Sequence, residues 1–123
     1  VNHTSQAGDR RTGTFGLYGI SKTSINGLTW RMAQELADHG IRMNAISTDV
    51  TDTAQLRHEA ERTAKDDPTR TPEDVLQERG ERRPIGRLGQ PEDLADAVLW
   101  LASDRADYVV GEIVRVSGGG NLQ

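Results

Sequence analysis

Apolar positions along the chain follow two rhythms in turn. Between Ser21 and Asp38, Ile25, Leu28, Met32 and Leu36 recur at helical spacing without a proline, and Gly40 stands where a helix stops. Ala33, Ala37 and Trp30 widen the apolar arc, which predicts a helix buried on more than one side. Ile41 to Ile46 then alternates like a short strand, a residue or two after the helix. A second helix is predicted from Gln90-Pro91-Glu92-Asp93, with proline in its first turn and acids behind it. Its stripe is Leu94, Ala95, Val98, Leu99, Leu101 and Ala102, ending at Ser103-Asp104. Gly111 to Val116 reads as a last strand closed by Gly118-Gly119-Gly120. Val1 to Ser5 reads as the end of a strand, and the glycines between Gly8 and Gly16 mark a loop. Strands and helices in alternation predict an α/β protein with a parallel sheet.

The stretch from Thr53 to Arg83 has another character. Its charge is dense and nearly balanced, and Leu56, Val75 and Leu76 are its few large apolar residues. Two short, exposed helices are predicted, broken at Asp67-Pro68, the second opened by Thr71-Pro72-Glu73-Asp74. Such helices can rest on a body but cannot form one, which is how a lid is built.

Composition narrows the function classes. The 123 residues are 34% hydrophobic and 28% charged, with a mean hydropathy of -0.66. That apolar fraction is low for a self-sufficient core and points to a core completed from elsewhere. No apolar run is long enough to span a membrane, so no membrane partner is expected. A net charge of -4 argues against nucleic acid, which calls for a basic face. The absence of cysteine excludes a disulfide scaffold and a thiol nucleophile and fits a cytoplasmic location. His3, His39 and His58 lack metal-ligand spacing, so no metal is expected. The chain opens on Val1 and enters directly into a strand end, which reads as a fragment of a longer protein.

Tyr18 and Lys22 are the candidates for chemistry. Their i, i+4 spacing sets a phenol and an ammonium on one helix face, and an ammonium nearby favours the phenolate. Ser5 precedes them across the glycine-bearing loop, at a strand's carboxyl end, where parallel α/β sheets bind ligands. Alone, the Tyr–Lys pair is too short a pattern to distinguish a site from an ordinary solvated helix face.

Longer motifs surround the pair. Val1-Asn2-His3-Thr4-Ser5-Gln6-Ala7-Gly8 followed by Tyr18-Gly19-Ile20-Ser21-Lys22 resembles the V-N-x-S-S-x-x-G and Y-x-x-S-K segments of the short-chain dehydrogenase/reductase family. Asn44-Ala45-Ile46, the run from Arg83-Pro84-Ile85-Gly86-Arg87 to Ala95, Leu101-Ala102-Ser103-Asp104 and the segment Gly111 to Gly119 resemble that family's later motifs, in order. The resemblance implies residues 1–123 as one partial domain: the C-terminal half of a Rossmann-like doubly wound parallel sheet, about three strands with flanking helices. The N-terminal half, with its pyrophosphate-binding turn and the family's catalytic asparagine, lies outside this sequence.

The resemblance implies an oxidoreductase using NAD or NADP on a small carbonyl or secondary alcohol. Tyr18 would be the general acid and base, Lys22 would support it and bind the nicotinamide ribose, and Ser5 would hydrogen-bond the substrate oxygen. The Val50 backbone and the Thr53 hydroxyl would face the carboxamide, and residues 53–83 would cover the substrate. The long helix would pair with its copy in a homo-oligomer. Two departures stand out: Thr48-Asp49 replaces the family's Pro-Gly, and Ser117 replaces an aspartate. Without a dinucleotide site the isolated chain is expected to be inactive. A silent piece that serves in binding or oligomerisation is the alternative.

Overall fold

A computed structural model of the chain describes residues 1–9 and 15–122. Arg10 to Thr14, inside the expected loop, lie outside the described residues. The elements are β1 (Asn2–Ser5), α1 (Gly16–Ala37), β2 (Ala45–Thr48), α2 (Ala54–Asp66), α3 (Pro72–Glu81), α4 (Pro91–Ala102) and β3 (Ile113–Val116). The three strands form one parallel sheet in the order β1-β2-β3, as the alternation predicts. Asn2 pairs with Ala45, and Ala45 with Ile113.

The chain divides into two compact units. The first joins Val1–Thr48 to Leu94–Val116 and contains the sheet. All four residues of β2 are buried, so the central strand shows no in–out alternation. The strand therefore carries no alternation to locate it, and it begins at Ala45 rather than at Ile41, where the alternation predicts it. Asn44, just before it, is a clamp instead: Nδ2 donates to the Val109 carbonyl at 2.7 Å and Oδ1 accepts from Glu112 N at 2.9 Å. Arg42 closes the C-terminal end of α4, donating to the Leu101 carbonyl at 2.9 Å and the Ser103 carbonyl at 3.2 Å.

Helix α1 begins at Gly16, earlier than the apolar repeat indicates, and buries a different face. Asn26, Thr29 and Ala33 are its buried residues, whereas Leu28 and Trp30 are more than half exposed. Burial on more than one side is thus not found in this chain. Hydrogen bonds explain the polar face: Asn2 Nδ2 donates to Thr29 Oγ1 at 3.0 Å, and Asn26 Nδ2 donates to Asp9 Oδ1 at 3.0 Å. On α4 only Leu101 is fully buried, and Leu99 is exposed.

The second unit joins Asp49–Asp93 to Ser117–Gln123. Here α2 packs on α3 through Leu56, Ala60 and Val75, with Arg79 reaching Glu59 at 3.3 Å. The expected break falls between Asp66 and Pro72, and Thr71 with Asp74 forms a complete capping box at the start of α3. Backbone bonds tie the two ends of the helical pair: Gly89 N donates to the Val50 carbonyl at 3.1 Å, and Asp52 N to the Gly89 carbonyl at 2.8 Å. Among the described residues no helix is long and apolar enough to cross a membrane.

Candidate active site

In a parallel sheet the strand ends carry the ligand side, and β1 ends at Ser5. The chain turns there into a single 3-10 turn, Gln6–Gly8, capped by Ser5 itself: its Oγ accepts from Ala7 N at 3.2 Å. The turn lies directly on the start of α1. A Cβ at Gly8 would stand 2.7 Å from the Lys22 carbonyl carbon and 2.9 Å from Thr23 N. A Cβ at Gly19 would stand 3.2 Å from the Ala7 carbonyl oxygen. A Cβ at Gly8 would not fit without a shift of backbone, and one at Gly19 would be tight, so the pair of glycines allows this close approach.

Hydrogen bonds fasten this contact. Thr23 Oγ1 donates to the Gly8 carbonyl at 2.9 Å, and the fully buried Thr4 donates to the Lys22 carbonyl at 3.1 Å. Sequence reasoning read Gly8 only as a loop residue and gave Gly19, Thr4 and Thr23 no role. The glycine and hydroxyl positions flanking the Tyr–Lys pair were the available signal.

Tyr18 and Lys22 sit on the first turns of α1. The Lys22 ammonium lies 5.5 Å from the centroid of the Tyr18 ring, close enough for a cation–π contact. Lys22 Nζ also reaches the His3 carbonyl, at 3.5 Å, which leans it toward β1. Tyr18 is half exposed, and the Phe15 ring stands 6.4 Å away, tilted by 51°. His3 titrates below its ordinary range, first because its ring is desolvated and then because the Lys22 ammonium opposes a second cation. Its Nε2 is 2.9 Å from Thr48 Oγ1, a pairing between neighbouring strands.

Val50 and Thr53 belong to the second unit. The Val50 carbonyl accepts from Gly89, and Thr53 caps α2, its Oγ1 accepting from Leu56 N at 3.3 Å. That acceptor role leaves the Thr53 hydroxyl proton for another partner. Asp49, the residue in place of the family's glycine, is paired with Arg83.

A three-stranded parallel sheet with flanking helices is of the Rossmann-like class of fold. A family model described as enoyl-(acyl carrier protein) reductase matches residues 1–121, and the chain belongs to the short-chain dehydrogenase/reductase family. Similar proteins include a 3alpha-hydroxysteroid dehydrogenase of Mediterraneibacter gnavus, 42% identical over 82% of this chain and 36% of its own length. A (3R)-3-hydroxyacyl-CoA dehydrogenase of Homo sapiens is 36% identical over 83% of this chain and 34% of its own length. The ligand-free structure of an aldohexose dehydrogenase from Thermoplasma acidophilum superposes with a TM-score of 0.89 at 33% identity. It covers 99% of this chain, which matches 47% of that one. The chain thus spans less than half the length of these relatives.

Proposed function

We propose that this chain carries the catalytic half of an NAD- or NADP-dependent oxidoreductase interconverting a small carbonyl compound and a secondary alcohol. When bound, the nicotinamide supplies or accepts the hydride. Tyr18 gives its proton to the carbonyl oxygen in reduction and takes it back in oxidation. Ser5 donates to the same oxygen and stabilises the charge that builds there. Lys22 favours negative charge on the Tyr18 oxygen and, with two ammonium protons beyond its long bond to His3, suits a ribose diol. The Val50 backbone and the Thr53 hydroxyl address the carboxamide, and residues 53–83 cover the substrate.

The observation that carries this reading is the seating of the Ser5 turn on the first turns of α1, through Gly8 and Gly19. Such seating holds the backbone that carries Ser5 against the backbone that carries Lys22, with no side chain between them. The test is the protein made from its natural gene, assayed with NADH and NADPH on steroid, acyl-thioester and sugar carbonyls. Turnover that disappears in Tyr18→Phe while cofactor binding persists is expected. Protein that binds neither cofactor would overturn the reading. Exposed Leu17, Ile20 and Trp30 along α1 support a second one, in which this piece is an oligomerisation surface, in a homo-oligomer, without turnover.

A further inference from the structure

Asp49 places a carboxylate in a loop where the family resemblance puts glycine, and the second unit contains its answer. Asp49 and Arg83 form an ion pair whose side chains are only 13% and 15% exposed. Asp49 Oδ2 and Arg83 Nε are both buried, and neither has another hydrogen-bond partner among the described residues. Charges largely taken out of water in this way depend on one another, because the two touching atoms have no solvent to fall back on.

The glycine triplet lies against the same segment, one residue to one. A Cβ at Gly118 would come within 2.6 Å of Ile85 Cγ2, and one at Gly119 within 2.8 Å of Pro84 Cγ. One at Gly120 would run into the Asp49 carboxylate and stand 3.1 Å from Arg83 Cδ and Nε. Ile85 N donates to the Gly118 carbonyl at 3.2 Å, and Gly118 and Gly119 have φ of +55° and +84°. The triplet is therefore a side-chain-free rail under Arg83-Pro84-Ile85. It seals the ion pair from water at Gly120.

We propose that Arg83 is a positioning residue for the nicotinamide dinucleotide: paired with Asp49 and seated on Gly120, it neutralises the carboxylate and holds loop 49–53 in one conformation. The proposal rests on the cofactor reading above, which sets Val50 and Thr53 of that loop against the carboxamide. Without Arg83, Asp49 turns toward water and draws the loop with it, and its bare charge repels an anionic dinucleotide. Removing the carboxylate as well takes away the cause of both effects. Loss of Arg83 alone is thus worse than loss of the pair.

The test is a double-mutant cycle of Arg83→Gln and Asp49→Asn in the protein made from its natural gene. Hydrogen exchange of the amides in 49–53 and 117–120 is read alongside the NADH and NADPH dissociation constants. Arg83→Gln is expected to speed exchange and weaken cofactor binding by about tenfold or more, with much of both recovered in the double variant. Unchanged exchange in Arg83→Gln, or a double variant no better than that single one, would overturn the proposal. If Arg83→Gln does not fold, Gly120→Ala, which wedges a methyl into the pair without altering charge, must speed exchange in 49–53 for the proposal to stand. A wild-type protein that binds neither cofactor, yet shows the exchange changes, would refute both the cofactor reading and the role proposed here, leaving a purely structural pair.

Discussion

The unit containing the sheet buries Thr4, Asn26, Thr29, Asn44 and Ser47; it ties Thr4, Thr29 and Asn44 with neutral hydrogen bonds and Asn26 to the Asp9 carboxylate. The unit from Asp49 to Asp93 buries three apolar side chains and is otherwise stitched by charge: Arg57 to Asp52 at 2.7 Å, Arg79 to Glu59, Arg70 and Arg82 to Glu78, Arg87 to Asp93 at 2.6 Å. The first depends on fit. Where a backbone lies against a backbone there is one arrangement, and one extra methyl is felt. The second depends mostly on partly exposed ties, each small and screened by salt, with the buried Asp49–Arg83 pair as the exception. Chemistry that needs fixed atoms belongs in the first kind of architecture.

The largest effect that would test this contrast is at Tyr18. Tyr18→Phe removes one oxygen and is expected to lower turnover by about 10²–10⁴-fold or more, with the cofactor dissociation constant nearly unchanged. Steady-state rates beside fluorescence titration of NADPH would check it. Next comes Gly8→Ala, which sets a methyl against the Lys22 and Thr23 backbone. A loss of about 1–3 kcal/mol is expected in denaturant unfolding, with turnover falling as the Ser5 turn lifts from α1. A Gly8→Ala protein as stable and active as wild type would break the contrast.

In the charge-stitched unit the same kind of intervention should cost less. Thr71→Ala removes the N-cap of α3, and about 1 kcal/mol of local stability should go with it, seen as faster exchange in residues 72–76 rather than as global unfolding. The smallest effect is electrostatic. The Asp93 carboxyl is held down to about 2, first by its hydrogen bonds with Arg87 and then by the Gln90 amide. A depressed carboxyl stabilises the fold above its unfolded pKa and loses that contribution as pH falls toward the folded one. Arg87→Ala should therefore move the Asp93 midpoint upward in a carbon-detected NMR titration, leaving stability at neutral pH almost unaltered.

How much of this was legible in the sequence depended on the kind of signal. Helices α3 and α4 announce themselves, because Thr71-Pro72-Glu73-Asp74 and Pro91-Glu92-Asp93 carry their own caps and first-turn acids. The exact start of α1 does not: Gly16 looks like a loop residue, and the apolar repeat begins only after Ser21. The alternation of Ile41–Ile46 predicts β2 too early, and the strand itself, buried on both faces, carries no alternation that would correct it. Ser5, Tyr18 and Lys22 stand out by motif, but what seats their segments does not, since Thr4 and Thr23 act through backbone carbonyls that any sequence possesses. The Asp49–Arg83 pair was least legible of all. Asp49 stands out as a departure, while its partner lies beyond helices α2 and α3 and only the folded chain joins them.

The order of the sheet has a further consequence, for the birth of the protein on the ribosome. Asn2 must wait for Ala45 to be made, and Ala45 for Ile113, so no strand can pair with its neighbour in sequence by a local turn. Every rung of the ladder closes a long stretch of chain, which makes the sheet slow to assemble. The capped helices α3 and α4 can form as they emerge, but β2 acquires its second neighbour only after residue 116 has left the exit tunnel. Until then the sticky centre of the sheet is open on that side, and a nascent chain stalled before β3 is the species a chaperone would meet.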